Sequence, residues 1–375
     1  MRNFLSILFG SNNSKKKNNS SLPLIKPQLL TLEARITPIA QPIIAGQGTL
    51  NDFTAIGADS GGGPLVTVTF PANPITGATA GYVSFFAYDA AFTGGVRVAL
   101  GDINNDGTPE VITAAGPTGA PHIKVFQLDV LNQTVVQRPI SQFYAFNEQR
   151  FTGGIYVACA DTNADGFKDI IVGAGAGGGP RVAVYAGSAT GVVASPINDF
   201  FAYPVKNNTG VVVTGGQRNT NAGAEVIVAP ASNGGYNIKS FDVNGKGSNP
   251  TLVDNFFAFN DFKSRGGLSI AAGDLDNGQG TNDLVVGTTN GQFGVILNDQ
   301  SAGIPVTAFP NFNGAIRAGV ATDGTGQTVA VALAGPTGGP RVSIFNFQTS
   351  GLVEVESALV VKRTFQGGLF GATTL

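Results

Sequence analysis

The string Asp161-Thr162-Asn163-Ala164-Asp165-Gly166-Phe167-Lys168-Asp169 sets side-chain oxygens at its positions 1, 3, 5 and 9, with a glycine at position 6. That glycine permits a sharp turn, which lets the backbone carbonyl of Phe167 join the same cluster. Hard oxygen donors at this spacing suit Ca²⁺. Asp102-Ile103-Asn104-Asn105-Asp106-Gly107-Thr108-Pro109-Glu110 repeats the pattern, with Thr108 at the carbonyl position and Glu in place of the final Asp. An Asx-rich turn without metal would use several of the same residues, and two copies in register favour the metal. A third candidate, Asp274, Asp276 and Asp283, lies in a string with an extra residue and a displaced glycine, so its spacing leaves binding open. Gln217, Asn219, Asn221 and Glu225 supply one carboxylate where the better loops supply three, and the loop around Asp323 is shortened. Both are predicted to be empty.

These loops must be held by strands, and the strands repeat. Phe85-Phe86-Ala87-Tyr88, Phe143-Tyr144-Ala145-Phe146, Phe200-Phe201-Ala202-Tyr203 and Phe256-Phe257-Ala258-Phe259 place their second aromatic at 86, 144, 201 and 257, steps of 58, 57 and 56. One module reads as a strand over 154–160, the acidic loop, a strand over 170–173, a glycine turn, a strand over 181–185 and a fourth over 200–203. Both faces of the aromatic strand are apolar, so each sheet is expected to be sandwiched between its neighbours and the aromatic strings to form core between modules. Four-stranded modules with a period in the fifties describe propeller blades. Gly95, Gly154, Gly210, Gly267, Gly314 and Gly368 mark six first strands. The last copy supplies only a first strand and the segment from Thr54 starts at a second, so the expectation is an all-β, six-bladed propeller closed by the C-terminal strand. In a competing register, 42–46 supplies that strand.

Composition removes several classes of function. With 22 Lys+Arg against 24 Asp+Glu and 12% charged residues, there is no electrostatic footprint for nucleic acid or an anionic membrane. One Cys, one His and no Trp exclude an intrachain disulfide and a Cys/His zinc cluster, and leave few tools for nucleophilic catalysis. Cys159, in an apolar run, reads as a structural thiol. The glycine strings 175–179, 116–119 and 335–339 lack a following Lys-Ser/Thr and a helix, so they read as strand turns rather than phosphate loops. Arg181, Arg341 and His122 follow those turns at equivalent places on one rim. Residues 1 to about 28, rich in Asn and Ser around Lys15-Lys16-Lys17, read as a flexible leader without a transmembrane span.

The acidic loops and the phrase Asp169-Ile170-Ile171-Val172-Gly173-Ala174-Gly175 resemble the FG-GAP or VCBS repeats of integrin-like propellers, over about residues 53–375. That resemblance implies Ca²⁺ at Asp102, Asn104, Asp106, Thr108 and Glu110, and at Asp161, Asn163, Asp165, Phe167 and Asp169. Leu30 to Pro38 looks like the Leu-Glu-x-Leu-Glu-x-Arg type motif of exported planctomycete proteins, with its first Glu replaced. It implies a leader over 1–40, a propeller over 41–375 and a secreted or cell-surface protein. The function expected is a non-catalytic calcium-binding propeller that mediates adhesion or binds a protein or polysaccharide of the cell envelope. The alternatives are a propeller hydrolase acting on polysaccharide or phosphate ester, and a purely structural envelope protein.

Overall fold

The computed structural model describes residues 53–72, 79–243, 249–277, 282–297, 303–339, 341–348, 351–359 and 368–373. The leader, the export-type motif and the competing strand at 42–46 lie outside them.

Six four-stranded antiparallel sheets form the blades of a β-propeller. Blade 1 pairs Leu369–Thr373 with Thr54–Ala58, Leu65–Phe70 and Gly81–Phe86. Blade 2 contains Val96–Gly101, Glu110–Ala115, His122–Phe126 and Ser141–Tyr144. Blade 3 contains Ile155–Ala160, Asp169–Ala174, Arg181–Tyr185 and Asn198–Phe201, one or two residues from the expected limits. Blade 4 contains Val211–Gly216, Glu225–Pro230, Asn237–Asp242 and Thr251–Phe257. Blade 5 contains Leu268–Gly273, Asp283–Thr288, Phe293–Ile296 and Ile304–Val306, and blade 6 Ile316–Thr322, Thr328–Ala334, Arg341–Gln348 and Gly351–Leu359. Among the described residues helix is confined to the single 3-10 turns Ala145–Asn147 and Ala258–Asn260.

Blade 1 closes the ring as the sequence predicts. Thr54 pairs with Thr373 and Ala58 with Leu369, antiparallel, so the last strand covers the edge that Thr54–Ala58 would otherwise expose. The second strand of each of blades 2 to 5 is buried along its whole length. Such strands need apolar, β-branched residues on both faces, which Val111, Ile112, Ile170, Ile171, Val226 and Ile227 provide. Burying each of these side chains stabilises the fold by about 1.5–3 kcal/mol.

The repeated glycine that opens each blade has a steric cause. Gly154 has φ of 71°, and a Cβ there would lie 2.5 Å from the carbonyl carbon of Gly116 in the preceding blade. Gly210 repeats this at φ of 72°, 2.6 Å from the carbonyl carbon of Gly175. Side chains would wedge the blades apart at both places. Tyrosines lock two seams, Tyr88 that between blades 1 and 2 and Tyr203 that between blades 3 and 4. Tyr88 donates to the carbonyls of Thr113 and His122 at 3.0 and 2.7 Å, and Tyr203 to those of Val228 and Asn237 at 3.1 and 2.7 Å.

One expectation is corrected. In the aromatic strings the first ring is buried or half-buried, but Phe86, Tyr144 and Phe201 are exposed. The strand that carries them is the outer edge of its blade, so one face of its end projects past the neighbouring blade.

Candidate metal centre

The first strand of each blade lines a central cavity of about 860 Å³. The loops between first and second strands surround its mouth, where Asp102, Asp161, Lys168, Gln217 and Asn282 line it. Cys159 is part of the cavity wall. Burial raises its thiol pKa, away from the thiolate form that reactivity requires.

The loop backbones are alike in detail. Position 4 has positive φ in three of them, at Asn105 (57°), Ala164 (58°) and Asn277 (55°); position 6 is a positive-φ glycine at Gly107 and Gly166, and in the loop over 217–225 the positive-φ glycine, Gly223, falls one place later. In four loops the amide of the second residue donates to the terminal carboxylate. The pairs are Ile103 to Glu110 (3.0 Å), Thr162 to Asp169 (3.0 Å), Arg218 to Glu225 (2.5 Å) and Leu275 to Asp283 (2.9 Å). Each of those acids is also the first residue of a buried second strand, which fixes it at the base of its loop.

In the loop over 102–110, Asp102 accepts from the amides of Asp106 (3.1 Å) and Gly107 (2.8 Å), Asn104 Oδ1 accepts from Asp106 (3.0 Å), and Asp106 accepts from Thr108 (2.8 Å). The loop over 161–169 repeats these bonds. Asp161 accepts from Asp165 (3.2 Å) and Gly166 (3.0 Å), Asn163 from Asp165 (3.0 Å), and Asp165 from Phe167 (2.9 Å). Glu110 and Asp169 are wholly buried. Burial, reinforced by Asp106 and Asp102, pushes the Glu110 carboxyl up to about 7, and burial raises Asp169 as well. A carboxylate so desolvated gains most from a cation alongside it.

The donors in both loops therefore fit Ca²⁺ in type and order, although neither loop holds its carboxylates tightly together. The reason in the first loop is Asn104, whose amide nitrogen bridges Asp106 and Glu110 at 3.0 and 3.1 Å. In the second, Asn163 donates to Asp165 at 2.9 Å, and Asp169 is turned to Thr162 and the Gly187 amide. Among the described residues one set of three carboxylates brings ligand atoms within 4.8 Å of one another: Asp274, Asp276 and Asp283, the set whose spacing was ambiguous. The loop over 217–225 is tied by its own amide, with Gln217 Nε2 donating to the carbonyls of Asn219 (2.7 Å) and Asn221 (2.6 Å). Asp323 accepts from Thr325 and Gln327 in a plain Asx turn.

Hydrogen bonds that cross between blades join the loops into a belt. Lys168 donates to the Asp102 carbonyl (3.2 Å), Ala224 to Asp161 (2.8 Å) and Asn282 to Gln217 (2.6 Å). Sequence reasoning missed a cluster at the second position of the inner strands. There Arg97 lies 3.9 Å over the Tyr156 ring and 5.3 Å from Phe370, and Arg317 lies 4.5 Å from Phe370 while pairing with Asp59 at 2.9 Å.

No known protein-family profile matches the chain. Human integrin alpha-7 is 36% identical over 110 residues, which cover 27% of this chain and 9% of the integrin. The chain thus spans about a tenth of that relative's length. Among solved structures it is similar to the Bacillus licheniformis rhamnogalacturonan lyase PL11, with a TM-score of 0.41 and 13% identity over 80% of this chain and 63% of the lyase. It is also similar to the exotype rhamnogalacturonan lyase YesX, with a TM-score of 0.35 and 12% identity over 84% of this chain and 79% of the other. A structure of BBS1N in complex with ARL6DN gives 0.37 and 13% over 70% and 81%. The expectation of a non-catalytic chain is corrected here. Rhamnogalacturonan lyases stand among the structures it resembles, and a likeness of 10–13% identity is one of fold.

Proposed function

We propose that the protein is a calcium-stapled extracellular propeller of the FG-GAP type that binds a protein or polysaccharide of the cell envelope. One Ca²⁺ is assigned to Asp102, Asn104, Asp106, Glu110 and the Thr108 carbonyl, and a second to Asp161, Asn163, Asp165, Asp169 and the Phe167 carbonyl. A third is assigned to Asp274, Asp276 and Asp283. The observation that carries this reading is the repetition of one loop architecture, in which each terminal acid is buried and held by the amide of position 2. Ca²⁺ would supply the charge that these desolvated carboxylates lack. In this reading residues 1–40 form an export leader of the planctomycete type, residues 41–375 form the ring, and the chain acts at the cell surface or beyond. Millimolar Ca²⁺ in that environment fills even weak sites. No helix among the described residues is long and apolar enough to cross a membrane.

The test is thermal melting with Ca²⁺ or with a chelator. A site that binds only the folded chain adds about 2.7 kcal/mol at a hundredfold excess over its dissociation constant. A melting temperature indifferent to chelation contradicts the reading. A second reading draws on the cavity mouth, where Asp102, Asp161 and Lys168 line one opening. Two carboxylates and an amine there suit an enzyme acting on polysaccharide or phosphate ester. Metal-dependent turnover lost on Lys168→Met, with calcium binding intact, would support it.

A further inference from the structure

Three successive blades carry the same arrangement on their outer rim. In blade 2, His122 pairs across the strands with exposed Tyr144 and stacks on it at 4.7 Å, while Gln142, two pairs along on the same face, hydrogen-bonds to His122. In blade 3, Arg181 pairs with exposed Phe201 and grips Asp199, two pairs along, at 2.8 and 2.6 Å. In blade 4, Asn237 pairs with Phe257 and donates to Asn255, two pairs along, at 2.8 Å. Phe257 is itself covered by Phe262, at 4.8 Å, and Phe262 is 65% exposed. Each blade therefore presents an exposed aromatic ring beside a hydrogen-bonded pair of planar polar side chains.

We propose that these three rims are equivalent subsites for a neutral polysaccharide. An exposed ring offers a flat apolar surface to the C–H face of a pyranose, and a planar polar pair fixed by its own hydrogen bond offers donors and acceptors to the hydroxyls at the ring's edge. Charge selects the neutral class. Gln142, Asn237 and Asn255 are uncharged, Arg181 and Asp199 cancel, and burial together with Lys124 holds the His122 imidazole below its usual range, hence neutral near pH 7. Within the polar pairs themselves a uronate carboxylate would find no unpaired cation. The repetition argues for a polymer over a compact ligand, because one repeating chain or branched glycan can engage equivalent subsites at once and gain avidity. Blade 1 is a built-in control. Phe86 is as exposed as Phe201, but it pairs with Leu65, and Ser84 bonds to Thr67 instead.

This deepens the binding reading above and does not depend on the metal sites. The experiment is affinity electrophoresis of the full chain in gels containing mannan, xyloglucan or mixed-linkage glucan, with polygalacturonate as the acidic comparison, each with Ca²⁺ and with chelator. Melting curves establish that every variant is folded. Retardation by at least one neutral glycan is expected, weakened about tenfold by each of Tyr144→Ala, Phe201→Ala and Phe262→Ala, abolished by the triple variant and unchanged by Phe86→Ala. Retardation that persists in chelator while calcium titrations are silent would sink the metal reading and leave this one standing. No retardation by any neutral glycan, stronger salt-sensitive binding to polygalacturonate, or a triple variant that binds like the parent would overturn it.

Discussion

Phe370 should behave as the bolt of the ring. It lies on the closing strand opposite Gly57, with Arg97 at 5.3 Å and Arg317 at 4.5 Å from its ring, and Tyr156 at 6.3 Å on a third blade. Phe370→Ala removes a half-buried aromatic side chain, a loss of about 2 kcal/mol. It also removes two cation–π contacts of about 0.5–1 kcal/mol each, so the total is about 3–4 kcal/mol. Phe370→Leu keeps much of the volume and loses only the ring's face, so it should cost about 1–2 kcal/mol. Urea unfolding of the three proteins in the same Ca²⁺ buffer measures this as a shift of midpoint at constant slope. An alanine variant within about 0.5 kcal/mol of the parent would refute the reasoning, since the arginines would then need no ring between them.

Removing residues 365–375 should go further, because it strips the strand that pairs Thr54–Ala58. Light scattering should show aggregation, and a monomer that melts like the parent would return the closing role to 42–46. Gly154→Ala should destabilise by about 2–5 kcal/mol, since it strains a φ of 71° and drives a methyl group into the backbone of Gly116. A melting shift of less than a degree or two would contradict that. Glu110 sets a pH dependence. Its folded pKa of about 7 exceeds the ordinary 4.5, so in metal-free protein the stability it contributes is full below pH 4.5 and is lost as pH rises to 7. Ca²⁺ binding at that loop should take up the ionised form, release protons at pH 7 and weaken about tenfold per pH unit below it. Calorimetry in buffers of different ionisation heat would show the released protons, and identical heats in all buffers would count against the assignment.

Much of the architecture was readable before any coordinates because the features that build a blade recur as residue types. The glycine that opens blades 1 to 4 is demanded by positive φ and close backbone approach, at Gly368, Gly95, Gly154 and Gly210, so it repeats as glycine. Past its opening acid the buried second strand is mostly apolar, so it repeats as a run such as Ile170-Ile171-Val172. Closure was legible because the segments at 54–58 and 369–373 are complementary parts of one module. What escaped notice lacks a repeated type. Arg97, Tyr156, Arg317 and Phe370 share a strand position and meet at the axis, yet no two neighbouring blades use the same residue there. Exposure of Tyr144 and Phe201 was hidden because an alternating aromatic pair looks the same in a central strand and at an edge. The acidic set Asp274, Asp276 and Asp283 converges despite its irregular spacing, whereas in the two regular loops Asn104 and Asn163 put an amide between carboxylates, a choice of rotamer that spacing does not encode.

The central claim, that the repeated loops are calcium sites, is tested most directly by isothermal titration of metal-stripped protein with Ca²⁺, comparing the parent with Asp106→Ala and Asp165→Ala. Each variant should fold and lose one equivalent of Ca²⁺ while the other sites keep theirs. A parent that gives no binding heat, or variants that bind as many ions as the parent does, would contradict it.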